Sequence, residues 1–147
     1  VDSGSLSGDD TDSHIDILAR FCDPETIAYL KSEDAEDPDY EGLMNMEAQL
    51  KSFRTPDGKP YRLVPLPKPE QMFLDDYPLP ASYANFLIIN GAVLVPGTGS
   101  ELDEVARARL QEVFTDREVI VIDCRPLLSG HGGLHCVTMQ FPEGWLE

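Results

Sequence analysis

Short apolar runs separated by polar turns predict the first part of a mixed α/β fold. The runs predict strands at residues 15–21, 26–30 and 61–66. After the second strand, a helix that begins near Asp39 is predicted by the helical spacing of Leu43, Met46, Leu50 and Phe53. A strand–strand–helix–strand unit follows from this pattern.

The same order of elements recurs later in the chain. Apolar runs predict strands at residues 85–89, 92–95 and 117–123. The first two are joined by Asn90-Gly91, a pair typical of a two-residue hairpin turn. Ser100 can cap a helix over residues 102–114, whose core face holds Val105, Leu110 and Val113. A further strand is predicted over 134–139, where a third unit begins.

The elements predict a single domain over residues 1–147, with one unit at about 14–66, another at 83–123 and a third begun at 134. The connection over 65–80 contains five prolines. It is expected to be a long irregular connection. Connections of that length in a compact domain usually form functional lids or linkers.

Each unit has a polar residue at the head of its first predicted strand. These residues are His14, Asn85 and Cys136. Equivalent positions in repeated units can meet on a common axis. The three distant side chains are therefore predicted to share one site.

The net charge of −16 restricts the partners of this protein. Nucleic acid is not expected as a partner, because its binding requires a basic surface. An acidic field attracts small cations, although acidic residues also simply keep a protein soluble. No apolar run reaches the roughly 18–20 residues of a membrane span, and no signal peptide is recognised. Three cysteines without CxxC spacing favour reduced thiols and a cytoplasmic location.

Two groups of residues are candidates for a catalytic site. Cys136 follows Gly132-Gly133, and glycines allow a backbone to approach a ligand closely. A thiol there is either a nucleophile or an inert buried cysteine. His14 and Asp16 lie two residues apart, so on a strand an imidazole and a carboxylate would point into one site. The alternative is a solvated loop histidine.

Other chemistries fit the sequence less well. His131, His135 and Cys136 lack the spacing of a common structural zinc site, so no metal site is predicted. The chain shows neither a phosphate-binding glycine loop nor a serine nucleophile elbow. Cys22 and Cys124 each adjoin an apolar strand and are expected to be structural.

Four stretches of the chain carry a family resemblance. They are GDDTDSHID at 8–16 with LARF at 18–21, YANFLIINGAVLVP at 83–96, DREVIVIDCR at 116–125 and GGLHCVTMQ at 132–140. In this order they resemble the agmatine deiminases and the bacterial peptidylarginine deiminases. The resemblance implies the pentein fold, a five-bladed α/β propeller in which strand–strand–helix–strand units surround the active site.

The resemblance also implies a role for each candidate residue. Cys136 would attack the guanidinium carbon, His14 would protonate the leaving ammonia and later activate water, and Asp16 would hold guanidinium nitrogens. Asn85 matches a position that lines the site in the peptidylarginine branch. The implied reaction converts agmatine to N-carbamoylputrescine and ammonia through a covalent thiouronium, or deiminates peptidyl-arginine with the same core. It needs no metal or organic cofactor.

The chain departs from the family in two respects. Ser13 stands where the family usually has glycine before the histidine. The family is also much longer, and its N-terminal half should supply a further substrate-binding Asp and an active-site Glu. We therefore expect this chain, which starts at Val1, to be the C-terminal part of a longer enzyme. The alternative is a non-catalytic module that binds a partner or self-associates through uncovered strand edges, and a homo-oligomer is possible.

Overall fold

Two three-stranded sheets, each with one crossover helix, form the framework of the chain. The structure is a computed structural model that describes residues 1–9, 14–142 and 144–145, so Ser13 lies outside it. The strands are β1 (Ala19–Asp23), β2 (Thr26–Lys31), β3 (Arg62–Pro67), β4 (Met72–Leu74), β5 (Tyr77–Leu79), β6 (Leu87–Ile89), β7 (Ala92–Gly97) and β8 (Glu118–Asp123). The helices are α1 (Tyr40–Ser52), α2 (Leu102–Gln111) and α3 (Arg125–Leu128). Short 3-10 turns lie at Ile15–Ile17, Tyr83–Asn85 and His135–Val137.

The two larger sheets have the same topology. In the first, β1 pairs with β2 in antiparallel orientation, and β2 pairs with β3 in parallel orientation across α1. In the second, β6 pairs antiparallel with β7, and β7 pairs parallel with β8 across α2. A parallel pair requires such a crossover. Each sheet therefore shows the strand–strand–helix–strand order that the hydrophobic pattern predicts.

Both predicted helices are present, and one of the three residues predicted for the core face of the second lies outside it. α1 buries the periodic residues Leu43, Met46 and Leu50. In α2, Ala106 and Leu110 are buried, whereas Val105 is 37% exposed and does not belong to the core face. Ser100 acts as a cap, because its hydroxyl accepts the Leu102 N–H at 3.2 Å. No helix of the described part of the chain is long and apolar enough to span a membrane.

One hydrophobic cluster joins the two units. It combines buried residues of the first sheet, the second sheet and α2, including Ala28, Leu66, Phe86, Val93 and Leu110. The Arg109 guanidinium adds a polar link by donating to the Pro65 carbonyl at 2.7 Å. A second cluster packs α1 against β1 and β2. The shared cluster fixes the position of one unit relative to the other.

Two predicted strands begin later than expected. β1 begins at Ala19, because Ile15–Ile17 forms a 3-10 turn. β6 begins at Leu87, after a 3-10 turn that ends at Asn85. His14 therefore precedes one turn, whereas Asn85 ends another, and the two residues do not occupy equivalent positions.

The strand predicted over residues 134–139 is wrong. His135–Val137 forms a 3-10 turn, and the Thr138 N–H and hydroxyl both donate to the His135 carbonyl, at 3.1 and 2.8 Å. A strand needs a neighbour to pair its backbone groups. Among the described residues, no strand pairs with this segment.

The proline-rich connection is not irregular throughout. Its middle forms the hairpin β4–β5, in which Leu74 pairs with Tyr77. The two residues between them, Asp75 and Asp76, have positive φ angles of 48° and 66°. Aspartate tolerates this left-handed conformation better than most residues do, so the hairpin forms without glycine.

Candidate active site

The three 3-10 turns bring together residues that are far apart in the sequence. Asp16 lies on the first turn, Asn85 on the second and Cys136 on the third. The Asn85 Nδ2 atom lies 3.0 Å from Asp16 Oδ2 and 3.5 Å from Cys136 Sγ. Cys136 Sγ lies 3.8 Å from Asp16 Oδ2. Three of the four site residues predicted from the sequence are thus in mutual contact.

Asn85 is the buried centre of this group. Its side chain is 1% exposed, and both ends of its amide are paired. Nδ2 donates to Asp16, and Oδ1 accepts the backbone N–H of His135 at 2.8 Å. A buried amide is tolerated only when its donors and acceptors have partners. Asn85 therefore sets the spacing between the first turn and the third.

Gly133 leaves the space that the Asn85 side chain occupies. A Cβ atom at residue 133 would lie 2.3 Å from Asn85 Oδ1, far inside van der Waals contact. At Gly132 the corresponding Cβ atom would meet only Cys136 Cβ, at an ordinary 3.5 Å. The second glycine of the pair is therefore required by packing, and the first is not.

We expect Gly133→Ala to lower the free energy of unfolding by about 1–3 kcal/mol, because the added methyl group forces the buried amide or the backbone to move. Urea unfolding of the complete protein measures this change. Gly132→Ala is the matched control and should unfold close to the wild type. Equal losses in the two variants would contradict the packing argument.

Cys136 is the exposed thiol of the three cysteines. Cys124 is buried and Cys22 is partly buried. Burial raises the pKa of both thiols, that of Cys22 to about 11, so both stay protonated at neutral pH. Only a thiolate is a good nucleophile. Cys136 is the thiol that a solute can reach.

Among the described residues, only one of the two oxygens of the Asp16 carboxylate has hydrogen-bond partners. Its Oδ2 atom contacts Asn85 Nδ2 and His135 Nδ1. Its Oδ1 atom is buried and has no hydrogen-bond partner among the described residues. A buried carboxylate oxygen without a partner costs free energy. Oδ1 is therefore the carboxylate oxygen that lacks a hydrogen bond among the described residues.

A small pocket gathers the candidate chemical groups. His14, Asp16 and Cys136 line it together with Asp9 and His131. His14 is exposed at the start of the first turn, so it joins the site as a pocket-lining residue. A larger cleft beside α2 contains none of the residues predicted for the site. We take the small pocket as the candidate active site because the reactive groups line it.

His135 is a site residue that the sequence did not reveal. The sequence suggested it only as a rejected zinc ligand, yet its Nδ1 atom lies 2.8 Å from Asp16 Oδ2. The one signal in the sequence is that His135 immediately precedes Cys136. Its partner is 119 residues away and could not be inferred.

Arg20, on β1, contacts Phe86, the residue that immediately precedes β6. Its Nη1 atom donates to the Phe86 carbonyl at 2.8 Å, and its guanidinium lies 5.1 Å from the centre of the Phe86 ring. Burial lowers the pKa of Arg20, and the nearby Asp16 carboxylate opposes that shift. Arg20 thus adds a fixed positive charge close to the site.

Comparison with known proteins places the chain in a family. A sequence profile of the Porphyromonas-type peptidyl-arginine deiminases matches residues 1–142. The chain belongs to this family. The family assignment agrees with the resemblance seen in the four sequence stretches.

Solved structures and curated relatives support the assignment. The "Putative Arginine Deiminase" of Porphyromonas gingivalis superposes with a TM-score of 0.95 at 61% identity, covering 97% of this chain and 42% of its own. A cysteine-to-serine variant of C. jejuni agmatine deiminase with substrate bound gives a TM-score of 0.84 at 40% identity, covering 91% of this chain and 38% of its own. The agmatine deiminase of Stutzerimonas stutzeri is 31% identical over 155 residues, which cover 93% of this chain and 42% of the relative. The chain thus spans about two fifths of the length of these family members.

Proposed function

We propose that this chain belongs to a hydrolase that deiminates guanidinium compounds, with agmatine as its substrate. The pocket that gathers Cys136, His14 and Asp16 is the observation that carries the proposal. A thiol, an imidazole and a carboxylate supply a nucleophile, a proton-transfer group and an anchor for a cation. The names of the curated relatives, which are agmatine deiminases, support the choice of substrate.

In the proposed reaction, the Cys136 thiolate attacks the guanidinium carbon and forms a C–S bond. A terminal C–N bond breaks, and the nitrogen leaves as ammonia with a proton from His14. Water then attacks the remaining thiouronium while His14 takes a proton from it. The C–S bond breaks and releases the ureido product and the thiolate. The second proton of the attacking water passes to solvent, so one water is consumed and one ammonia and one proton are released.

Asp16 holds the substrate in this proposal. Its unpaired Oδ1 atom accepts an N–H of the planar guanidinium, a charge-assisted hydrogen bond that is stronger than a neutral one. The protein's net charge of −16 favours the approach of a cation, and agmatine carries a guanidinium and an amine. The reaction needs no metal or organic cofactor in this scheme, and we place it in the cytoplasm.

The proposed site is larger than the part that this chain supplies. Five strand–strand–helix–strand units would surround the pocket as a pentein, and the two units described above would be two of them. The further substrate-binding Asp and the active-site Glu would come from residues beyond this chain. The relatives' greater length supports this arrangement, because the chain covers 42% of the Porphyromonas gingivalis structure.

Peptidyl-arginine is the second candidate substrate. The matching family profile carries the name of peptidyl-arginine deiminases, which supports this alternative. Agmatine and peptidyl-arginine share the guanidinium, so the pocket residues would act in the same way on both. The two candidates differ in what surrounds the tail of the substrate.

A substrate panel tests the proposal. The complete protein that contains this chain is assayed with agmatine, free arginine and an N-acyl-arginine amide, by ammonia release and by mass spectrometry of the ureido product. We expect kcat/KM for agmatine to exceed the others by about 100-fold or more, because the tail contacts discriminate between them. A preference for the arginine amide would establish the second candidate. If all three substrates stay unchanged, the deiminase proposal is wrong.

A further inference from the structure

His135 is linked to the other site residues by a closed set of hydrogen bonds. Its imidazole Nδ1 lies 2.8 Å from Asp16 Oδ2, and its backbone N–H donates to Asn85 Oδ1 at 2.8 Å. The Asn85 Nδ2 atom completes the triangle by donating to Asp16 Oδ2 at 3.0 Å. Cys136 follows His135 directly in the chain. The triangle therefore fixes the nucleophile relative to the carboxylate.

The direction of the imidazole hydrogen bond follows from its partner. An ionised carboxylate only accepts hydrogen bonds, so the Nδ1 atom of His135 must carry the hydrogen that it donates to Asp16. In the neutral ring, Nε2 is then an acceptor. The contact thus selects one tautomer of the ring.

The two oxygens of Asp16 therefore differ in their hydrogen-bond partners. Oδ2 receives donors from Asn85 and from His135 and lies 3.8 Å from the Cys136 thiol, whereas Oδ1 is buried without a partner among the described residues. Two donors on one oxygen hold the plane of the carboxylate and leave the other oxygen for a ligand. Without His135, Asn85 would be the one remaining nitrogen donor to this oxygen among the described residues.

We propose that His135 is a positioning residue, which holds Asp16 through Nδ1 so that Oδ1 is the oxygen presented to the guanidinium of the substrate. This proposal rests on the proposed deiminase function. The His135 and Asp16 side chains are 29% and 17% exposed, so their hydrogen bond is largely shielded from competing water. His135 acts on the substrate through Asp16, while proton transfer belongs to His14.

Two substitutions at residue 135 separate positioning from packing. The side-chain amide nitrogen of asparagine can take the place of Nδ1 and donate to Asp16, whereas leucine has a similar size and no donor. We expect His135→Leu to lower kcat/KM for agmatine by about 10- to 100-fold, the range for one lost hydrogen bond to a charged group. His135→Asn should stay within about 3-fold of the wild type, because it keeps that hydrogen bond.

Other outcomes of these assays would overturn the proposal. Wild-type kcat/KM in His135→Leu would show that Asp16 does not need the donor. A loss in His135→Asn as large as that in His135→Leu would assign a proton-transfer role to the imidazole. Better activity in His135→Leu than in His135→Asn would indicate packing alone.

A spectroscopic measurement tests the hydrogen bond without any reaction. In the complete protein labelled with ¹⁵N-histidine, the neutral His135 ring should show a protonated Nδ1 and an unprotonated Nε2. Asp16→Ala should remove this preference for Nδ1. An Nε2-protonated ring in the wild type would overturn the proposal. If the wild type hydrolyses none of the guanidinium compounds but keeps the Nδ1 signal, the deiminase function fails and the His135–Asp16 contact stands.

Discussion

Cys136→Ser in the complete protein is expected to lower kcat for guanidinium hydrolysis by at least about 10⁴-fold, the scale seen when a nucleophile is removed from an enzyme. A serine hydroxyl stays protonated at neutral pH, and the proposed attack on the guanidinium carbon requires a thiolate. Steady-state ammonia release gives the rate. Mass spectrometry of acid-quenched enzyme with agmatine should detect a covalent adduct in the wild type and none in the variant.

Cys22→Ser is the matched control for this substitution. The Cys22 thiol lies on β1 and outside the pocket, and burial raises its pKa to about 11. It should therefore retain wild-type kcat and the adduct. The nucleophile assignment would be wrong if Cys136→Ser kept more than about a tenth of wild-type kcat, or if the adduct mapped to another residue.

Lys68→Met is expected to lower the free energy of unfolding by about 3–5 kcal/mol, because it leaves the buried Asp39 carboxylate and the partly buried Asp37 carboxylate without their cation. The Lys68 Nζ atom lies 2.6 Å from Asp37 Oδ1 and 2.7 Å from Asp39 Oδ2, and the lysine side chain is 7% exposed. Asp39 also accepts the Ser7 hydroxyl at 2.7 Å. The triad therefore links the N-terminal segment, the start of α1 and the segment after β3. Urea unfolding at pH 7 measures the loss.

The pH dependence of this loss has a definite sign. Burial alone would raise the pKa of Asp37, but hydrogen bonds from Lys68 and the Asp39 backbone lower it below its usual value. The stability from this carboxylate is thus present above pH of about 4 and is lost as the pH falls through the lowered folded-state pKa. The difference between the wild type and Lys68→Met should therefore shrink in acid.

Lys59→Met is the control for the buried triad. Lys59 pairs with Asp57 at 2.7 Å, but their side chains are 69% and 52% exposed. Exposed ion pairs contribute little to stability, so this variant should unfold like the wild type. If Lys59→Met lost as much stability as Lys68→Met, burial would not be the cause of the effect.

The regular parts of the fold could be predicted because their signals are local. The helical spacing of Leu43, Met46 and Leu50 predicted α1, and Asn90-Gly91 predicted the turn between β6 and β7, where Gly91 has a φ of 78°. The errors in the predicted strands lie where a strand gives way to a 3-10 turn, as before β1 and at His135–Val137. Apolar residues are common to both structures, and the presence of a pairing strand decides between them.

The candidate site could be predicted in part for a similar reason. Polar residues next to apolar runs drew attention to Asp16, Asn85 and Cys136, and the structure brings these three together. The roles of these residues remain predictions. The position of His135 on the Asp16 carboxylate depends on contacts across the whole chain, which no local pattern contains.

The triangle of Asp16, Asn85 and His135 has a consequence during protein synthesis. Of the three groups the carboxylate is translated first, the amide 69 residues later, and the imidazole 119 residues after the carboxylate. The ribosome therefore synthesises both strand–strand–helix–strand units before it reaches Cys136. A nascent chain that ends before His135 lacks one corner of the triangle. The thiol is thus the last of the contacting groups to be added to the chain.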